Sequence, residues 1–470
     1  MPGIFGRFSI FFSMTIIFDI FPSYGHHHAT FKLAKVLKDV GHKIYYIGQY
    51  PYFKNLPSDI SRRYINPYIF SFIERETNNI LKNIRIAFKE KQNHKKYAFY
   101  QQTIKQYDEL ISKIKPDLII VDHHYIQKAV LYYKYQIPIV SVQTTLASEM
   151  NLPIPPLNST CIPKHNILSN LYALYLWNSY LLIKRIRLFI YKIIFFSENH
   201  LSDVMRLAKK TGYPIKKNID YKHYKSFGGF GLKNIPQLLL SPFDFDFPHK
   251  LNKNQYAVGP LLLKEDDVKI RDRRYLSVLN RIKEEKKGGT IAFIYCSLGT
   301  LNNLGLKKSI KILQYVIETG KRNPEFRIVI TVGEFINPAV LLPTPDNVFL
   351  FKSIPQKNIL RFCDMMIAHG GLNSITECVM NEVPMLIYPF YKKSDLGGNS
   401  ARVVYHSIGN RGFIKKDTVD IMDSKIKDVL YNPVYRKNIH LMRLKFEEKN
   451  NATEIISIIE SIVKNYHSTI

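Results

Sequence analysis

A chain of 470 residues with 46% apolar content has the length of two ordinary domains and the composition of a globular protein with large cores. Its four cysteines, Cys161, Cys296, Cys363 and Cys378, show neither metal-type spacing nor a disulfide framework, so a stapled secreted scaffold is excluded and a reduced, cytoplasmic protein is expected. The formal net charge of +29 calls for an anionic partner such as a nucleotide or an acidic membrane face. No basic cluster is interleaved with aromatics in a nucleic-acid motif, so no nucleic acid is expected as a partner.

The run Ile4 to Phe21 is apolar, but Arg7 and Asp19 interrupt it and no small-residue cleavage site follows. A secretory signal is not expected, and residues 1–13 read as an extension without a structural role. Thr15 to Phe21 reads as a buried strand and Pro22-Ser23-Tyr24-Gly25 as a turn. Ala29 to Val40 reads as a helix with Leu33, Ala34, Leu37 and Val40 on one face, and Lys43 to Ile47 as the next strand. This βαβ opening predicts a parallel sheet. Residues 55–113 are polar and mostly helical in pattern. Leu118 to Val121 is a strand ending in Asp122, Ile137 to Val142 is another, and the proline-rich residues 151–165 form a loop.

From Ile167 to Ile183 no residue is charged; Lys184, Arg185, Arg187 and Lys192 then arrive among Ile, Leu, Phe and Tyr. The uncharged part is short for a membrane span, which needs about 20 apolar residues. Residues 167–196 are read first as a core helix of the first domain. The alternatives are a wall of an acceptor pocket and an element docking peripherally on an anionic membrane. Further on, Thr290 to Cys296, Phe326 to Val332, Val348 to Phe351, Met365 to Ala368 and Met385 to Tyr388 are strands separated by helical segments. Asn451 is placed to cap a final helix. The pattern predicts two doubly wound α/β domains, with ligands at the carboxyl ends of the strands.

The richest stretch runs from Ser353 to Arg402. A buried strand, Met365 to Ala368, is followed by His369, by Gly370 and Gly371 for a sharp turn, and by Asn373 and Ser374 suited to cap a helix. A strand, a glycine turn and a helix start form an anion site, because N–H groups point outward and the dipole favours phosphate. His369 can donate to the same phosphates, and Glu377 suits two neighbouring ribose hydroxyls. Each residue alone has a plainer reading as a turn or a dipole-complementing acid; the ordered set is what carries weight. At the other end of the chain, His26 follows the first strand in a turn at the cleft and suits a general base. Asp122, at the end of a strand of the same sheet, suits its orienting carboxylate. His27 and His28 read as turn residues, and three adjacent histidines rarely converge on one metal.

Pro355-Gln356, Ile359-Leu360, His369, Gly371, Asn373-Ser374, Glu377, Val383-Pro384-Met385, Pro389, Asp395 and Asn399 together resemble the donor-binding signature of the nucleotide-sugar glycosyltransferases that act on small lipophilic molecules. That family includes plant secondary-product, macrolide and carotenoid glycosyltransferases and the animal glucuronosyltransferases. The resemblance implies the GT-B fold, two Rossmann-like domains facing a cleft. It divides the chain into 14–255 for the acceptor, 256–440 for the donor and C-terminal helices over 441–470 that return to the first domain. The implied activity is inverting transfer of a hexose from a nucleoside-diphosphate sugar, by default a UDP-sugar, with no metal and no other cofactor. By the same resemblance His26 is the catalytic base and Asp122 its acidic partner. Ser297, Gly299 and Thr300 form a second phosphate-contacting loop, Gln356 belongs to the donor site, and Asp395 holds sugar hydroxyls. The chain departs from the family at Ser353, where an aromatic residue stacks on the base, and at Leu396, where a glutamine follows the aspartate. A nucleotide-sugar epimerase of the same fold and a membrane-surface sensor are the competing classes; both leave the pairing of His26 with Asp122 without a use.

Overall fold

The computed structural model describes residues 13–53, 56–65, 95–164, 166–194, 200–222, 230–261, 272–299, 305–391 and 394–469. In chain order the strands of the first half are β1 (Thr15–Asp19), β2 (Lys43–Gly48), β3 (Ser61–Tyr64), β4 (Leu118–Asp122), β5 (Ile139–Gln143), β6 (Ile219–Asp220), β7 (Gly231–Leu232), β8 (Gln237–Pro242) and β9 (Gln255–Gly259). Seven of them form one parallel sheet in the order β3-β2-β1-β4-β5-β8-β9, while β6 and β7 pair as a short antiparallel ribbon. The second half adds β10 (Ala292–Ser297), β11 (Phe326–Thr331), β12 (Val348–Phe351), β13 (Met365–Ala368), β14 (Met385–Ile387) and β15 (Gly409–Arg411). These six are parallel, in the order β12-β11-β10-β13-β14-β15. Both sheets are covered on two faces, which is why β4, β10 and β13 are buried at every position and read as unbroken apolar runs. In each sheet the strand order reverses once, between β1 and β4 and between β10 and β13. The crevices at those points are where ligands of open α/β sheets sit.

Several expectations need correction. The first helix runs Tyr24–Asp39, five residues ahead of the expected start, because Ser23 adopts an extended N-cap conformation and the His27 N–H already bonds the Ser23 carbonyl. His26, His27 and His28 therefore lie in its first turn and not in a loop. Residues 1–12 lie outside the described part, but Ser13 is tied to the fold by its hydroxyl, which donates to the Gly41 carbonyl at 2.8 Å. The segment expected to open the second domain at residue 256 is β9, hydrogen-bonded to β8 as the last strand of the first sheet. The helix Pro433–Glu448 packs into the second core through Ile439, Met442 and Phe446. The chain returns only after it: Ile455, Ile459 and Ile462 of the helix Ala452–Thr469 join Ile16, Phe18 and Val258 of the first core.

Residues 167–196 were read first as a core helix, and that reading fails. A helix spans Ile167–Ile194, but of its described side chains only Ala173 and Trp177 are buried. The indole N–H of Trp177 donates to the Ile154 carbonyl at 2.7 Å, pinning the helix to the proline-rich loop. Among the described residues no helix is long and apolar enough to cross a membrane. The domains are joined by a buried ion pair. Arg402 Nε donates to Asp246 Oδ1 at 2.7 Å, its guanidinium lies 4.3 Å from the Phe247 ring, and Asp246 also accepts from the Ala147 and Phe247 N–H groups. Asp246 closes the Asp244-Phe245-Asp246 triplet, whose pattern matches a metal motif of other folds; here its carboxylate is occupied by the domain junction.

Candidate active site

The first cluster forms where β1 and β4 end side by side, with Asp19 in register with Val121. His26 Nδ1 lies 2.8 Å from Asp122 Oδ2, and the carboxylate is fully buried while the imidazole keeps some exposure. The other carboxylate oxygen accepts the His124 backbone N–H at 2.8 Å, so Asp122 cannot swing away. Burial by itself would raise the Asp122 carboxyl; the charge and hydrogen bond of His26, with help from His124, bring it down to about 2. An ionised Asp122 fixes the proton of His26 on Nδ1 and leaves Nε2 as the basic nitrogen.

Two neighbours were not foreseen from the sequence. Thr144, directly after β5, places Oγ1 3.0 Å from the same His26 nitrogen. His124 stands edge-on to His26 with ring centroids 4.6 Å apart. Nothing in the local sequence marks Thr144, whose proximity comes from strands adjacent only in the sheet; for His124 the signal was its place two residues after Asp122. Behind the pair lies a buried polar floor. Lys128 is ion-paired with Asp19, the Tyr132 hydroxyl donates to Asp19 at 2.6 Å, and Lys128 Nζ donates to Tyr107 at 3.2 Å. The only hint was Asp19 at the end of an apolar strand. His27 turns away, stacked on Tyr52 and held neutral by burial, which takes its pKa down to about 4. The potential metal-ligand group among the described residues is not the His26-His27-His28 run but His26, Asp122 and His124, with ligand atoms within 4.8 Å of one another.

The second cluster forms at the reversal between β10 and β13, where Ser297 is in register with Ala368. His369 follows at the strand end. A Cβ on Gly299, whose φ is +68°, would lie 2.4 Å from the His369 ring, and one on Gly371 would lie 2.8 Å from its Nε2. Both loops thus close on the imidazole because they carry no side chain there. Burial lowers the His369 pKa to about 4, against a smaller opposite pull from Asp395, and its Nδ1 has no partner among the described residues.

The helix Leu372–Met380 begins immediately afterwards, with Gly371 at its N-cap and no capping side chain. Asn373 and Ser374 were expected to cap it; they sit inside its first turn instead, which leaves the N–H groups open toward the cleft. Ser374 Oγ accepts from Gln356 Nε2 at 3.2 Å, and the same amide donates to Glu377 Oε2 at 2.7 Å. Gln356, Ser374 and Glu377 therefore form one patch. Asp395 Oδ2 accepts from Asn399 Nδ2 at 3.0 Å, and that amide also bonds the Gly370 carbonyl at 2.9 Å, which ties the aspartate to the glycine turn. Leu396 is buried against that turn, and Ser353 is exposed. Thr300 lies outside the described residues.

The two clusters meet. Asn373 Nδ2 lies 3.5 Å from the Gly25 carbonyl, so the starts of the helices Tyr24–Asp39 and Leu372–Met380 touch. The ends of the two sheets that carry the candidates are thus in contact.

Residues 233–452 match the family model for UDP-glucoronosyl and UDP-glucosyl transferase. Among curated proteins, the uncharacterized UDP-glucosyltransferase YdhE of Bacillus subtilis (strain 168) is 26% identical over 140 residues, 29% of this chain and 34% of that one. The putative UDP-glucuronosyltransferase ugt-50 of Caenorhabditis elegans is 22% identical over 236 residues, 48% of this chain and 43% of that one. The chain thus spans a third to less than half of the length of these relatives. Over nearly the whole chain the fold is similar to that of the glycotransferase of kitacinnamycin, with a TM-score of 0.66 and 18% identity over 96% of this chain and 99% of that one. The match to that family model runs through the glycine turn after β13, the Gln356–Glu377 patch and Asp395, and the two-sheet fold is the GT-B fold of solved glycosyltransferases.

Proposed function

We propose that the protein is an inverting glycosyltransferase, moving a hexose from a nucleoside-diphosphate sugar, a UDP-sugar in the first instance, to a hydroxyl of a small lipophilic acceptor. The observation that carries this reading is the 2.8 Å pair of His26 and Asp122, set against the uncapped start of the helix Leu372–Met380. The acceptor oxygen attacks the anomeric carbon from the face opposite the leaving group, and its proton passes to His26 Nε2. The bond from that carbon to the diphosphate oxygen breaks, and the released charge is met by the open N–H groups and the helix dipole. Imidazolium formed at His26 is stabilised by Asp122, whose low pKa keeps it ionised throughout.

On the donor side His369 and the Ser297–Gly299 loop face the diphosphate. Glu377, oriented by Gln356, takes the ribose hydroxyls, and Asp395, oriented by Asn399, takes hydroxyls of the sugar. No metal and no further cofactor is called on in this scheme; the nucleotide sugar is a co-substrate. The test is to offer a panel of nucleotide sugars with a lipid extract of the source cells and to identify products by mass spectrometry and their anomeric configuration by NMR. An α-linked donor giving a β-linked product supports the reading. Epimerised nucleotide sugar without transfer would overturn it.

A further inference from the structure

One side of the helix Ile167–Ile194 is apolar and open. At 100° per residue Leu168, Leu171, Tyr175, Leu182, Ile186 and Phe189 fall within a narrow arc, and all six are at least half exposed, from 50% at Ile186 to 78% at Leu168. The stripe runs for about 30 Å along the axis. The opposite side holds Ala173 and Trp177, buried against the proline-rich loop. An exposed apolar face of this length is uncommon on a monomeric protein and marks a contact surface.

We infer that this face docks on an anionic lipid bilayer, with the helix lying flat at the boundary of headgroups and acyl chains. Charge selects that occupant. No Asp or Glu occurs from Met150 to Ser197, whereas Lys184, Arg185, Arg187 and Lys192 follow one another along the helix and the whole chain carries +29. Arg185 is exposed beside the stripe, and Lys184 Nζ bonds the Tyr221 carbonyl, which brings the exposed Lys222 alongside. Aliphatic and aromatic residues on one side with Arg185 and, by position, Lys192 at its margin are the pattern of an interfacial helix, and tyrosine suits the headgroup level. The helix is not long and apolar enough to span. Its inner side packs with Leu146 and Leu157 at the domain junction, so the docked protein holds its cleft beside the bilayer; if the transferase reading holds, a lipophilic acceptor can enter from there.

The test is co-sedimentation of the full chain with phosphatidylcholine vesicles, with and without phosphatidylglycerol, over a salt series. Binding to the anionic vesicles at low salt, falling as salt rises, is expected. Leu171→Asp combined with Phe189→Asp weakens it by more than about tenfold, and Arg185→Glu by about fivefold. Emission of Trp177, the single tryptophan, stays that of a buried indole and shows that the helix remains seated. Wild-type protein that ignores anionic vesicles, or a double variant that binds them as well as wild type, overturns the inference. So does a dimer that the double variant dissolves, which would give the face to a second copy. No readout involves sugar transfer, so the outcome is separable from that of the proposed reaction.

Discussion

In the proposed reaction His26 works only as placed by its neighbours: the carboxylate 2.8 Å from one ring nitrogen decides which nitrogen is basic. Asp122→Asn keeps the shape and loses the charge, so kcat is expected to fall by about 10²–10⁴ with little change in donor affinity. Steady-state kinetics with a separate binding measurement checks this. In the proposed donor site Glu377→Ala leaves ribose hydroxyls unpaired, and calorimetry with UDP is expected to show binding weaker by about 1–3 kcal/mol. The histidines also set a pH dependence of stability. His27 and His369 stay neutral in the fold down to about pH 4, whereas in the unfolded chain they take protons near the ordinary histidine value of 6.5. Between those values the unfolded state binds more protons, so stability is full above 6.5, falls as pH drops toward 4 and is level below. Each contributes on the order of 3 kcal/mol. A scan of Tm from pH 7 to pH 4 is expected to show this fall and to show it reduced in His27→Gln. Asp122, lowered from 3.8 to about 2, acts in a separate window: its contribution is present above 3.8 and is lost only as pH falls toward 2.

Strands and turns carry those residues to one place, and the tightest fit among them is the loop after β10. Gly299 has a positive φ and no room for a Cβ beside His369. Gly299→Ala is expected to displace the imidazole, weaken nucleotide binding by at least about tenfold and cost about 1–3 kcal/mol of stability, read from calorimetry and urea unfolding. How far such elements were legible depended on burial. Leu118 to Val121 and Met365 to Ala368 stand out because strands covered on both faces are continuously apolar. β3 does not, because Ser61–Tyr64 is an exposed edge strand carrying Arg62 and Arg63. The start of the first helix was hidden by Pro22 and Gly25, which punctuate like a loop, while Ser23 makes it an N-cap. The candidates Gln356, His369 and Glu377 were legible as a group because they are close in sequence. Thr144 was not, because sheet order alone brings it to His26, and His124 was passed over although it lies two residues after Asp122. The helix over residues 167–194 shows the limit of hydropathy: it marks a segment as apolar and does not say whether protein or another phase covers it.

At the scale of the whole molecule, the site exists only while the two domains hold their mutual orientation. Arg402 and Asp246 supply one fully buried link between them. Arg402→Ala strands a buried carboxylate, and a loss of about 3–5 kcal/mol is expected in chemical unfolding, larger than for the double change Arg402→Met with Asp246→Leu, which leaves no lone charge. The central claim is a division of labour, with a base in the first domain acting on a nucleotide sugar held by the second. Its most direct test is the His26→Ala protein, measured for UDP affinity by calorimetry and for sugar transfer by mass spectrometry on one preparation. UDP affinity within about twofold of wild type, with transfer reduced by about 10²–10⁴, is the predicted result. Transfer near the wild-type rate would contradict the account.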